Sequence, residues 1–574
     1  MSSGTRFPGR QSLIGSLLTG ALALAVGCTP AEPEIPADLV LRGGKVVTVD
    51  PNVPDGEAIA VLDDTILAVG SDREIQQYIG RDTEVIDLDG QLAIPGFIDS
   101  HGHFLGIGNA KMQLDLMNVA NWDEIVTMVE VAVSDAPPGE LIPGRGWHQE
   151  KWDTPPPGNV EGLPTHHTLS AVSPDNPVVL THASGHASFA NAKAMELSGI
   201  TRDTPDPPGG EIVRDANGSP IGAFRETAQG LLRGAYDGAP PPDPRRQAEL
   251  AVEEVLSKGV TSFHDAGVGF ETIDLYEQMV DDGSLGVRMW AMIRTSNDVL
   301  AERLPTAKML NYGDHRLTVR AIKVSIDGAL GPHGAWLLEP YSDLPTSTGL
   351  NTRPMSSLVE TARLAIEHDF QLCVHAIGDR ANREVLDVYE QAFRRNPDKT
   401  GLRWRIEHSQ HLHPDDIPRF GQLGVIASMQ GIHCTSDGPY VIPRLGEQRA
   451  REGAYVWRSL WETGALVNNG TDAPVEDVDP IASYYATVSR KLQDGTVFFP
   501  EQRLTRMEAL QTYTINGAYS AFEEDIKGSL TPGKLADITV LSKDILTIPE
   551  DEIPTAEVVY TIVGGRVMYR RGAD

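Results

Sequence analysis

Seven short β-rich runs after residue 259, separated by stretches of helical character, dominate the middle of this 574-residue chain. They are "GVTSFHDAG", "GVRMWAMIR", "VRAIKVSIDG", "FQLCVHAIGD", "WRIEHSQ", "GVIASMQ" and "ALVNNGTDA", with helices predicted between some of them at 355 to 368 and 381 to 394. Adding the earlier run "LAIPGFIDS" gives eight strands in alternation with helices. That count predicts an α/β fold of the (β/α)8 TIM-barrel type, whose chemistry lies at the C-terminal ends of the strands. The segment from about 115 to 250 exceeds what such a barrel needs, so it is expected to be an insertion after strand one that shapes access to the mouth.

The two ends have another texture. "DLVLRGGKVVTVD", "AIAVLDDTILAVG" and "TEVIDLDGQLAIPG" are β-branched runs punctuated by Gly and Asp, and "GSLTPGKLADITVLS" and "EVVYTIVGGRVMYRR" repeat the pattern near the C-terminus. One small β-sandwich domain built from 37–94 and 521–574 is expected, flanking a barrel over 95–520. Before it, Arg6 and Arg10 precede "SLIGSLLTGALALAVGC", an apolar run too short to span a bilayer comfortably and ending in small residues. Residues 1–28 therefore read as an export signal, and 29–36 as a Pro- and acid-rich linker. The ending Ala25-Val26-Gly27-Cys28 resembles a bacterial lipoprotein cleavage box with Ala25 where leucine is preferred, which leaves a lipid anchor on Cys28 or simple secretion. In either case an exported protein is expected, and with the lipid a membrane-anchored one.

Composition excludes some classes. With 48 Lys and Arg against 80 Asp and Glu the net charge is −32, which offers no basic footprint for nucleic acid. Setting Cys28 aside leaves Cys373 and Cys434, too few for a disulfide framework, so stability must come from core burial.

The fourth barrel run is the most informative. In "AIKVSID" the two-residue period puts Ala321, Lys323, Ser325 and Asp327 on one face and Ile322, Val324 and Ile326 on the other. The apolar set should meet the outer helices, which turns Lys323 into the barrel, where an ammonium is costly unless paired or chemically altered. A neutral buried lysine can add carbon dioxide to give a carbamate that bridges two cations; an exposed or salt-bridged lysine is the alternative. Phe97, Asp99, His101 and His103 share one face of the first run, His375 and His408 end the fifth and sixth, and Asp472 ends the eighth. Imidazole and carboxylate ligands suit zinc, and less specifically iron, manganese or nickel.

These stretches, with "GGEIVRDANGSPIGAFRETA", "KVSIDGALG", "VHAIGDRA" and "GTDAPV", together resemble the amidohydrolase superfamily of metal-dependent hydrolases over about residues 37 to 570, in the branch of N-substituted formamide deformylase-like proteins. The resemblance implies a centre of two divalent metals, expected to be zinc: His101 and His103 on one ion, His375 and His408 on the other, carbamylated Lys323 between them, and Asp472 beside the water as general base and acid. It implies hydrolysis of an amide-type, non-peptide C–N bond in a small-molecule substrate by a metal-activated water. Hydrolysis of esters, carbamates or phosphoesters on the same site is the alternative within catalysis, and a lipid-anchored, non-catalytic metal or solute-binding protein is the alternative outside it. A homodimer is one assembly open to the chain.

The sequence departs from the branch at Pro332-His333, where a Ser-Arg pair is usual, and at Gln430-Gly431, where Gln-Pro is usual; both put the substrate in question rather than the metals. His186, His264, His333, Gln430 and His433 are the candidate substrate-binding residues. Arg405 and Glu407 alternate with His408 and also have a claim to the interior. His411 and His413 repeat the His-x-His spacing beyond a strand end, with Pro414-Asp415-Asp416 starting a helix, and are read as a decoy.

Overall fold

The structure, a computed structural model, describes residues 35–240 and 243–572. The expected export signal, the Cys28 anchor and most of the linker lie outside the described residues. Among the described residues no helix is long and apolar enough to cross a membrane.

Eight parallel strands form the barrel: β1 (Phe97–Gly102), β2 (Val260–Val268), β3 (Arg288–Ile293), β4 (Leu317–Ser325), β5 (Gln371–Ala376), β6 (Arg405–His408), β7 (Ile426–Gln430) and β8 (Val467–Gly470). Each pairs with the next from β1 to β8. The end of β8 returns to β1, where the Asp472 N–H donates to the His101 carbonyl and the His103 N–H to the Ala473 carbonyl, both at 2.7 Å. That seam is tight. A Cβ at Gly470 would stand 2.5 Å from the His101 nitrogen and 2.8 Å from Asp99 Oδ1, so only glycine lets the strands meet.

The period read in "AIKVSID" is realised. Ile322, Val324 and Ile326 join the large cluster that includes Leu358, Ala362 and Ala365 of helix Met355–His368, while Lys323 is buried inside the barrel. Ala321 packs inside with Ala266, Trp290, Met292, Cys373 and Ala521, an apolar plug of the barrel interior. Cys373 and Cys434 are both buried free thiols.

The "LAIPGFIDS" run is divided rather than continuous. Leu92–Pro95 pairs with Ile538–Leu541 in a five-stranded sheet drawn from both chain ends, and the barrel strand starts at Phe97 after Gly96. A four-stranded sheet within 39–87 packs on it through Leu39, Val61, Ile86, Ile538 and Ile562. The insertion forms its own six-stranded sheet between Leu114 and Glu226, with a core around Trp122, Trp147 and Phe189. Trp147 and Trp152 pack there against each other, with ring centroids 6.2 Å apart. Helix Pro244–Ser257 then returns the chain to β2.

A buried ion pair ties barrel to β-domain: Arg288 on β3 grips both oxygens of Asp537, at 2.7 and 3.1 Å. Burial alone would raise the Asp537 pKa, but the Arg288 charge and hydrogen bonds outweigh it and hold the carboxyl below its ordinary value. Because the folded pKa is depressed, this stabilisation is present above the unfolded value of about 4 and declines as pH falls through it. Asp537→Asn is expected to cost about 3–5 kcal/mol at neutral pH by stranding a buried guanidinium, with the loss shrinking in acid, as urea unfolding at several pH values would record.

Candidate active site at the barrel mouth

At the C-terminal rim, strand ends bring together the residues the sequence singled out. Asp472 Oδ1 lies 3.2 Å from His103 Nε2 and 3.6 Å from His101 Nε2, and its Oδ2 lies 3.9 Å from both His408 Nδ1 and His433 Nε2. Lys323 Nζ is 3.3 Å from His101 Nε2. The His375 ring centroid stands 4.4 Å from that of His408, which is 4.7 Å from that of His101.

Strand alternation alone would put Glu407 and His408 on opposite faces. His408 has φ 78°, and this left-handed turn at the end of β6 lets Arg405, Glu407 and His408 all be buried at the interior. Asp472 has φ 57°. Non-glycine residues there cost of order 1–3 kcal/mol each, and such strain gathers where a side chain must be aimed.

A chain of buried polar groups fixes His101. Arg405 Nε lies 2.7 Å from Glu407 Oε1, and Glu407 Oε2 contacts His101 Nδ1, leaving Nε2 to face Lys323 and Asp472. His408 is held likewise: its Nδ1 meets Gln430 Oε1 at 2.7 Å. Desolvation keeps these imidazoles neutral, pulling His408 down to about 3 and His101 and His375 well below the usual range. It also lowers Lys323 to about 8. Burial would raise Asp472, yet its hydrogen bond from His103 outweighs that and holds it well below the ordinary carboxylate value, hence ionised.

The residues fit divalent cations. Ligand atoms of His101, His408 and Asp472 lie within 4.8 Å of one another, and His375 Nε2 is buried without a hydrogen-bond partner, 3.5 Å from Asp327 Oδ1. Neutral nitrogen lone pairs and a carboxylate converging at a buried point are a metal-ligand set, and an unanswered buried polar atom needs such a partner.

The site opens into a cavity of about 460 Å³ lined by His103, Lys323, His375, His408 and Asp472 on the barrel side, and by Arg145, His186 and Glu226 from the insertion. His186 Nδ1 meets Glu226 Oε2 at 2.8 Å; burial opposes its charge, but Glu226 raises its pKa above the ordinary value. His433 lines a narrower adjoining recess with Tyr440 and Gln410, whose Nε2 lies 2.9 Å from His433 Nδ1.

Three substrate-binding expectations meet a different placement. Gln430 is consumed as the partner of His408. His264 lies among the inward residues of the barrel, 5.1 Å from the Trp290 ring and 3.3 Å from Arg405 Nη1, because β2 turns it into the closed interior rather than the cavity. His333 packs on Tyr341 and lies 3.2 Å from Asp343. His411 and His413 line a separate cavity beside Asp379 and Arg449, apart from the barrel-mouth cluster. The sequence did not signal Glu226 or Arg145: both come from the insertion, where no strand-end rule applies.

The amidohydrolase family profile matches residues 84–569. The chain belongs to the amidohydrolase family. Among relatives of this amidohydrolase, the protein LONG AFTER FAR-RED 3 of Arabidopsis thaliana is 33% identical over 93% of this chain and 92% of its own. The N-substituted formamide deformylase of Arthrobacter pascens is 29% identical over 93% and 98%. An uncharacterized metal-dependent hydrolase from Pyrococcus furiosus superposes with a TM-score of 0.67 at 28% identity, covering 89% of this chain and all of that one (100%).

The Glu407 contact makes a specific demand on this site. Glu407→Gln removes the charge that orients His101, and metal affinity is expected to fall about 10- to 100-fold, as chelator competition followed by elemental analysis would measure.

Proposed function

We propose that the protein hydrolyses an amide-type C–N bond, other than a peptide bond, in a small molecule. One observation carries this reading: an ionised carboxylate, Asp472, sits at the point where His101, His103 and His408 converge, at the wall of a cavity large enough for a substrate. His101, His103, His375 and His408 would hold two zinc ions, with Lys323 as a carbamate between them. Burial favours that chemistry, since only the neutral amine of Lys323 adds carbon dioxide. When bound, the metals supply Lewis acidity, lowering the pKa of water and polarising a carbonyl.

The remaining work belongs to side chains. Asp472 accepts the proton of the attacking water and passes it to the leaving nitrogen, which departs poorly without it. His186, whose pKa Glu226 raises against the effect of burial, offers a donor to the negative charge that develops on the carbonyl oxygen. Export and attachment through Cys28 belong to the same proposal, and mass spectrometry of the mature protein would reveal a lipidated or simply cleaved N-terminus.

Asp472→Asn is expected to retain metal while kcat falls about 10²- to 10⁴-fold on a formamide or N-acyl panel; near-normal turnover would reject the proton-carrier role. Lys323→Ala should lose metal, and full occupancy by elemental analysis would reject the carbamate bridge. Matched amide and ester substrates separate C–N hydrolysis from the ester reading.

A further inference from the structure

The cavity wall holds two guanidinium groups that the proposed chemistry does not use. Arg294, just past the end of β3, and Arg353, just before helix Met355–His368, line the same space as Lys323 and Asp472. Arg294 Nη2 donates to Ser325 Oγ at 3.3 Å and Arg353 Nη1 to Ser357 Oγ at 3.2 Å. Neither forms an ion pair among the described residues. Partial desolvation by the cavity wall and then the Arg353 charge lower the Arg294 pKa, partial desolvation lowers that of Arg353, and no acid acts the other way on either.

The acids of the cavity are engaged elsewhere. Glu226 pairs with His186 at 2.8 Å, Asp472 with His103 at 3.2 Å, and Asp327 accepts the backbone N–H groups of Trp336, Ile377 and Gly378. The chain has 80 acidic residues against 48 basic ones, so it had ample means to neutralise both arginines and places none beside them. Two like charges lining one cavity without a counterion repel each other, and an anionic ligand would relieve that repulsion.

The placement is close to the reacting centre. Gly267 has φ 123°, and a Cβ there would stand 2.9 Å from Arg294 Cδ and 3.2 Å from Lys323 Cγ. The Arg294 stem therefore lies beside the Lys323 stem over a bare backbone, while its residue remains open to water in the cavity. Each guanidinium has five donors in a planar fork suited to two oxygens of one anion, and one hydroxyl apiece leaves most of that fork unanswered.

We infer that the substrate is an amide carrying a compact oxyanion, a carboxylate or phosphate, gripped by Arg294 and Arg353 while its scissile group lies against Asp472. This rests on the amide-hydrolysis reading, and the test keeps the two separable. Metal-loaded mature protein would be assayed on N-acyl amino acids, on their uncharged carboxamide counterparts, and on amides bearing a phosphate at the same position. The wild type should favour an anionic member of each set, and in Arg294→Gln/Arg353→Gln the anionic-to-neutral ratio of kcat/KM should fall about 10- to 100-fold, the worth of one charge-assisted contact or slightly more. The higher of the carboxylate and phosphate ratios identifies the oxyanion. An unchanged ratio in the double variant overturns the inference.

If no amide is hydrolysed, the functional reading fails and a binding arm decides this one. Calorimetric titration with glutarate and with inorganic phosphate should show affinity lower by about 10- to 100-fold in the double variant, metal content being equal. Equal affinity overturns the inference. Arg294→Lys/Arg353→Lys, which keeps charge but loses the fork, should lie between wild type and the Gln variant, and it decides both arms if the Gln variant does not fold.

Discussion

Closure of the barrel between β8 and β1 is the constraint on which the site depends. Asp99 on β1 accepts the Thr471 N–H at 3.1 Å and the Thr471 hydroxyl at 2.5 Å, and the His101 N–H at 3.2 Å. Burial pushes this carboxyl up to about 7 even so. The seam thus fixes in one motif the imidazole of His101 and the carboxylate of Asp472, which are 371 positions apart in the chain (472 − 101). Neither could be aimed if the strands slipped, because a shift of one residue turns every side chain to the opposite face.

Two kinds of order then work together at the rim. Regular alternation delivers Lys323 and His375 inward from β4 and β5, while left-handed residues at the ends of β6 and beyond β8 deliver His408 and Asp472. Behind them, Arg405, Glu407 and Gln430 form a buried polar layer that fixes which ring nitrogen of His101 and His408 remains exposed to the centre. Such a layer is expensive to bury, and its members satisfy one another rather than leaving bare charges.

Much of this was legible in the sequence because two-residue periodicity is a local property. "AIKVSID" already separates Ile322, Val324 and Ile326 from Lys323, and strand ends mark His375, His408 and Asp472. The limits have equally physical causes. Gln430, at a departure from the branch's usual Gln-Pro, reads as a substrate contact, but its amide is taken by His408, a tertiary contact between β6 and β7 that no spacing reveals. His264 has inward parity like a ligand, yet depth along the strand, set by barrel stagger, decides between cavity and core. Glu407 and His408 defied alternation through one backbone angle. Arg294 and Arg353 follow from loop paths after β3 and β4, where periodicity ends.

The charge distribution links these observations to function. At −32 the whole molecule repels anions at long range, but over distances beyond a Debye length of about 8 Å at physiological salt that field is largely screened. Inside the cavity the local balance governs instead. The insertion contributes Arg145, bound through carbonyls of Pro474 and Ala183 at 3.3 and 3.0 Å, and the hydrogen-bonded His186–Glu226 pair, while the barrel contributes Arg294 and Arg353. On the proposed reading, recognition and bond cleavage would be divided by origin: the strand ends, fixed by barrel closure, would carry the reacting groups, and the loops and insertion, free of that constraint, would set the charge around the substrate.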